Sequence, residues 1–300
     1  MSISSRTGAL AASAAAVTIW GISFIATKVA LREIGPFQVI WIRFGIGVMV
    51  LGVVVAARRE FSWPAPSELW RFGFLGFLGI SLHQWLQVTG LITAQASTTA
   101  WIVSTSPVFI AVIGWILLRE PMDLARILGM ALSAAGVVGV ISKGDLAMLS
   151  GGTLGTTGDG LVLGSAITWA LFSVFSRRLL RHQPPSRMLF FVMLAGWVCT
   201  SIFLILTGQS LLLLSLSGQA IAALVFLGVF CSGIAYVLWY DALHYLPVSQ
   251  VGSLLFFEPL VTIVAAALLL GETVTVGAVL GGVMILGGVW LVARPRHTTA

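Results

Sequence analysis

The feature that most constrains this chain is a succession of apolar runs, each about 20 residues long, separated by short polar joints. A helix of that length crosses about 30 Å of hydrocarbon. Reading the runs as spans places helices over residues 9–31, 37–57, 69–90, 96–118, 124–142, 159–181, 187–207, 218–239, 246–270 and 275–293. With 58% hydrophobic and 9% charged residues, the chain has too little polar surface to cover a soluble fold. The expectation is an all-α integral membrane protein with ten transmembrane helices and no room for a soluble domain.

A net charge of +6 would suggest nucleic acid in a soluble protein. Here the Lys and Arg residues collect at the ends of the runs, where they set topology, so the expected surroundings are lipid and no nucleic-acid partner is expected. With the N-terminus inside, the inner joints gather Arg6, Arg58, Arg59, Arg71, Arg119, Arg126, Arg177, Arg178, Arg181, Arg187, Arg294 and Arg296. The outer side keeps Lys28, Arg32, Arg43 and Lys143, which predicts both termini in the cytoplasm. Arg6 ahead of an Ala-rich run reads as an uncleaved signal-anchor. Cys199 and Cys231 lie inside apolar runs, so neither a disulfide framework nor a metal site is expected. The sequence has no phosphate-cradling glycine loop ahead of a Lys, no His-Glu metal pair on one helix and no Gly-x-Ser-x-Gly turn, so neither enzyme chemistry nor a cofactor is expected.

The runs repeat. Setting Trp20 on Trp169 also sets Lys28 on Arg177, Arg32 on Arg181 and Pro36 on Pro185. Further along, one constant offset aligns Pro107 with Pro259, Leu117-Leu118 with Leu269-Leu270, Glu120 with Glu272, Gly129 with Gly281 and Gly136-Val137 with Gly288-Val289. The longest polar interruption, residues 144–158, is the natural linker between a first five-helix unit over 1–143 and a second over 159–300. Five spans is an odd number, so the second unit is expected upside down relative to the first. Inverted repeats are a transporter architecture, with the substrate site near the midplane where the halves meet.

The candidate site residues cluster at that depth. Trp20 sits mid-span, away from the interfacial belts that tryptophan usually occupies, on a face with Ser13, Ala16, Ser23 and Thr27. Trp169 repeats this with Ser165, Phe172, Ser173 and Ser176. Such faces turn toward another helix or a wet cavity, and plain helix packing with space-filling rings is the competing explanation. On the fourth span Trp101 accompanies Ser97, Ser104 and Thr105, and the repeat register sets Ser253 opposite it, beside Ser249, Gly252, Phe256 and Phe257. A hydroxyl opposite an indole suits a ligand with a polar head and an aromatic body. On the third span Leu82 and Leu86 share one face, and His83 and Gln87 the next. His83 is either a proton carrier or a hydrogen-bonded packing residue.

Glu258, before Pro259, lies at a depth where a carboxyl is costly. It either bonds to backbone freed by the proline or couples transport to protons. Arg43, a turn or two inside the second span, is expected to snorkel outward, with attraction of a substrate carboxylate as the alternative. Asp241, Glu120 and Glu272 read as solvated or capping groups near helix ends. A monomer is the expected unit.

The repeat, the early mid-span Trp20, Pro107 and Pro259, and the span ends Leu117-Leu118-Arg119-Glu120 and Leu269-Leu270-Gly271-Glu272 resemble the EamA family of drug/metabolite transporters over essentially the whole chain. Within that family the sequence is similar to YddG-type aromatic amino acid exporters of the bacterial inner membrane. The resemblance implies a basket of helices around a central cavity, alternating access, and export of Phe, Trp, Tyr and related small metabolites. It also implies Trp20, Trp101 and Trp169 as cavity aromatics, with Ser253, Leu82 and Leu86 as further lining. Two other readings are a proton-coupled multidrug or cation exporter built on Glu258 and a non-transporting membrane subunit.

Overall fold

The computed structural model describes residues 5–119, 122–144, 155–180, 183–209, 216–246, 251 and 254–293. Most of the 144–158 linker lies outside these residues, as do Ser253, Ser249, Gly252, Glu120 and Arg181. Among the described residues every regular element is helical: α1 Arg6–Ala30, α2 Pro36–Ala57, α3 Pro66–Gly76, a π-helical stretch Phe77–Leu82, α4 His83–Gly90, α5 Ala96–Val103, α6 Ser106–Leu118, α7 Leu124–Ile141, α8 Thr157–Leu180, α9 Pro185–Leu206, α10 Gly218–Val225, a second π-helical stretch Phe226–Ile234, α11 Ala235–Tyr245, a 3-10 turn Leu254–Phe257, α12 Glu258–Leu270 and α13 Val276–Ala293.

Among the described residues eight helical stretches are long and apolar enough to cross a membrane, namely 6–30, 36–57, 96–117, 124–141, 157–176, 185–206, 218–242 and 276–293. The fold is that of a multi-pass membrane protein. Its exposed large residues fit a lipid-facing exterior, for example Val53, Ile205, Leu206 and Leu268.

Local chemistry explains where the helices begin. Ser5, Asp123 and Ser217 accept from the Gly8, Arg126 and Ala220 N–H groups at 3.0, 2.9 and 3.2 Å, which satisfies otherwise orphaned donors. Pro36, Pro66 and Pro185 each stand at the first helical position, where their missing N–H costs nothing. The same rule governs Pro107 and Pro259, which fall inside the runs 96–118 and 246–270. The helix breaks at Ser104–Thr105 and restarts at Ser106, while α12 starts at Glu258, so each proline occupies the first turn of a new helix. Both segments also end alike, with Arg119 at φ 53° and Gly271 at φ 66° as left-handed caps. The eighth span runs on to Tyr245 rather than 239, after which Leu246 is extended at φ −122°.

The helices pack in a pattern that exchanges the halves. Helix α1 packs on α11 and α12, while α8 packs on α4 and α6. Helices α7 and α13 form the densest pair in the molecule and run antiparallel. A Cβ at Gly129 would lie 2.6 Å from the Gly288 carbonyl oxygen, and a Cβ at Gly136 would lie 2.6 Å from that of Gly281. Only glycine admits backbones this close, and such small-residue contacts replace the hydrophobic drive that lipid removes.

Ion pairs tie the ends. Arg58 and Asp241 form a two-pronged bond at 2.8 and 2.6 Å, so Asp241 is paired rather than merely solvated. At that same end Arg187, buried over Phe72 and Phe191, binds Glu68 at 3.2 Å and the Ser62 carbonyl at 3.1 Å. At the other end Lys28 meets Glu272 at 3.4 Å.

Candidate substrate site between the tryptophan clusters

The polar face of α1 is settled within its own helix. Ser13 and Thr27 are buried, and their hydroxyls donate to the Ala9 and Ser23 carbonyls at 2.8 and 2.7 Å. The exception is Trp20, whose Nε1 donates to the Cys231 carbonyl oxygen at 3.2 Å. That acceptor lies in the π-helical stretch Phe226–Ile234, where the wider turn loosens the ordinary hydrogen-bond ladder. The indole meets Tyr236 edge-on at 5.4 Å and Trp239 at 5.3 Å.

Trp169 also packs against the main core cluster, in its own aromatic setting. Its ring lies 5.1 Å from His83 and 5.2 Å from Phe172. His83 is buried, and its Nδ1 donates to the Ser165 carbonyl oxygen at 2.9 Å. A carbonyl can only accept, so Nδ1 carries the proton and Nε2 has no partner among the described residues. Gln87 is buried beside it, whereas Leu82 and Leu86 are half-buried, Leu86 over Gly164. Trp20 and Trp169 both border the largest core cluster, but α1 and α8 are not a packed pair.

Trp101 is placed elsewhere. It belongs to a separate cluster with Val108, Ile285 and Val289, and its ring lies so close over Gly282 that a Cβ there would come within 2.4 Å. Its Nε1 is buried with no partner among the described residues. The structure therefore joins Trp20 and Trp169 through the core and leaves Trp101 outside that group.

Arg43 overturns the expectation of an outward snorkel. It is 4% exposed, its Nε donates to Ser232 Oγ at 2.8 Å, its Nη1 reaches Gln84 Oε1 at 3.3 Å, and its guanidinium lies 5.2 Å from the Phe44 ring centre. Ser232 follows Cys231, the residue that receives the Trp20 bond, and Gln84 follows His83, the residue that faces Trp169. The sequence singles out Arg43 but not its inward turn, because both acceptors come from distant helices. Glu258 is enclosed by protein yet keeps some accessible surface, and its carboxyl makes no hydrogen bond within the described residues. Its backbone carbonyl instead accepts from Thr262 Oγ1 at 3.0 Å, and the same hydroxyl lies 2.9 Å from the Gly21 carbonyl beside Trp20.

Glu272 closes the Lys28 end. Its carboxylate accepts the Ala96 N–H at 2.8 Å, the Ser97 N–H at 3.1 Å and the Ser97 hydroxyl at 2.8 Å, so it caps the N-terminus of a helix from the other half. Burial raises its pKa, but these bonds and the charge of Lys28 outweigh that and hold it below the ordinary carboxylate range.

An all-helical membrane fold with paired packing of its halves defines a polytopic membrane protein, and comparison with known proteins gives its family. The model of the EamA-like transporter family matches residues 6–142 and again residues 156–294, so the chain belongs to that family and is a membrane transporter. An uncharacterized transporter of Archaeoglobus fulgidus is 29% identical over 93% of this chain and 95% of its own length. The Bacillus subtilis transporter YvbV, also uncharacterized, is 28% identical over 92% and 88%. A probable amino-acid metabolite efflux pump of Salmonella typhimurium is 26% identical over 92% and 91%. A crystal structure with 22% identity shares the fold at a TM-score of 0.67, covering 96% of this chain and 99% of that one.

Proposed function

We propose that this transporter exports amino acids with apolar, chiefly aromatic, side chains from the cytoplasm, by alternating access between two inverted five-helix repeats of the inner membrane. The observation that carries the reading is the pair of mid-helix indoles. Trp20 of the first half is held on Cys231 and Tyr236 of the second, and Trp169 of the second is held against His83 of the first. Each ring thus spans the boundary along which the halves would rock. The two separate family matches, the exchanged helix packing and the antiparallel glycine contacts support ten spans arranged as an inverted duplication. The similarity to the probable amino-acid metabolite efflux pump of Salmonella supports amino acids as the cargo. The Arg-rich joints support cytoplasmic termini.

The test is counterflow in liposomes of purified protein, with labelled Phe, Trp and Tyr against aliphatic and polar amino acids, with and without a proton gradient. The expected result is flux of the aromatic set above protein-free vesicles. Flux of cationic drugs alone, abolished by Glu258→Gln, would replace this reading with the proton-coupled multidrug one.

A further inference from the structure

We propose that Arg43 anchors a carboxylate on the transported molecule, whose apolar body lies toward Trp20 or Trp169. This deepens the function proposed above and rests on it for the aromatic body, but not for the carboxylate.

A guanidinium held deep in a membrane protein is costly unless an anion compensates it. Among the described residues Arg43 forms no ion pair, and both of its hydrogen-bond partners are neutral. No described carboxylate, Glu258 included, makes a bond to it. Two of the guanidinium's five N–H groups are engaged through Nε and Nη1, and the others have no partner among the described residues. The partners sharpen the chemistry. Ser232 and Gln84 use their oxygens to accept from Arg43, so what they can still offer is a hydroxyl proton and an amide NH2. The locality is therefore rich in donors and positive in charge. It suits a carboxylate and repels a cation without one.

Position links this anchor to the rings. Its partner Gln84 adjoins His83, and its partner Ser232 adjoins Cys231, the acceptor of the Trp20 bond. His83 faces Trp169, and Tyr236 faces Trp20. Arg43 thus stands between the two aromatic clusters, on the second helix of the first half. A molecule with its carboxylate on Arg43 can rest its side chain against either indole. The aligned position in the second half is apolar, around Val192–Ala195, so the anchor is a single one and gives the site a polarity that the duplicated scaffold lacks.

The test measures ligand-induced thermal stabilisation of purified protein by three compounds with one aromatic body: phenylalanine, 3-phenylpropionate without the ammonium, and phenethylamine without the carboxylate. A second series on a leucine body serves if aromatic compounds do not bind. Wild-type protein is expected to be stabilised by the acids and to bind the amine about tenfold or more weakly, as loss of a charge-assisted bond predicts. Arg43→Gln is expected to lose that discrimination, and Arg43→Lys to keep part of it. Carboxylate preference only in the leucine series would defeat the aromatic reading and leave the anchor standing. Equal binding of amine and acids by wild-type protein, stabilisation by neither series, or undiminished discrimination in Arg43→Gln overturns the anchor. If Arg43→Gln does not fold, the wild-type series and Arg43→Lys still decide.

Discussion

Replacing Glu272 by Ala tests whether a helix cap or an ion pair holds the Lys28 end together. The carboxylate receives three hydrogen bonds from Ala96 and Ser97 at 2.8–3.1 Å and one contact from Lys28 at 3.4 Å. Bonds to a charged group contribute about 1.5–3 kcal/mol each but are not additive, and an anion at a helix N-terminus contributes up to about 2 kcal/mol. The Lys28 side chain is 23% exposed, so its pair is worth about 1 kcal/mol or less. The cap should dominate: Glu272→Ala is expected to cost about 2–4 kcal/mol, against less than about 1 kcal/mol for Lys28→Ala. At roughly 2 °C per kcal/mol for a large chain, Glu272→Ala lowers the unfolding temperature by roughly 4–8 °C.

The same carboxylate predicts a pH dependence. Its folded pKa lies below the ordinary 4.5, so the stabilisation is complete above that value and is lost as the pH falls through the folded pKa. Thermal scans of detergent-purified wild type, Glu272→Gln, Glu272→Ala and Lys28→Ala at neutral pH and below about pH 4 give the comparison. The gap between wild type and Glu272→Gln should be full at neutral pH and narrow in acid. Equal losses for Lys28→Ala and Glu272→Ala, or a Glu272→Gln protein as stable as wild type at neutral pH, would show that the capping account is wrong.

Two further outcomes are expected. Gly282→Ala places a methyl 2.4 Å from the Trp101 ring and should cost about 1–3 kcal/mol, with much of the loss relieved when Trp101→Leu is added; strictly additive losses in thermal scans would separate the two residues. Trp20→Ala and Trp169→Ala should each lower flux about tenfold at unchanged yield of folded protein, while the Phe variants retain more; full flux in both Ala variants would remove the indoles from the pathway.

Much of the architecture is legible in the sequence because membrane helices obey length and polarity rules that need no tertiary knowledge. The apolar runs coincide with the helices to within a few residues over most of the chain, and Pro, Glu and Gly recur at a constant offset between the two segments that match the family. What fails to show is which way a residue turns when a distant helix decides it. Arg43 lies near enough to a helix end to snorkel, and only Ser232 and Gln84 draw it inward. Glu272 reads as an end-of-helix acid, but the helix it caps is one 175 residues away in sequence. Trp101 reads as a cavity ring beside hydroxyl-bearing neighbours, and nothing near it in sequence shows that Gly282, on a distant helix, opens the slot its ring occupies. Pro107 falls inside an apolar run that reads as one span, and only the backbone shows the break at Ser104–Thr105 that lets the proline stand in the first turn of a helix.

The glycine seam between α7 and α13 has the form of an isologous contact, one patch used twice with its two roles exchanged. Gly129 and Gly281 hold one role, Gly136 and Gly288 the other, and each meets the carbonyl of its counterpart. A joint of that kind has no preferred direction, because exchanging its two sides leaves it unchanged. Direction in a transporter must then come from residues outside the seam, and Arg43 and Glu258, set against Val192–Ala195 and Ser106 when the two family-matching segments are aligned, are two such positions.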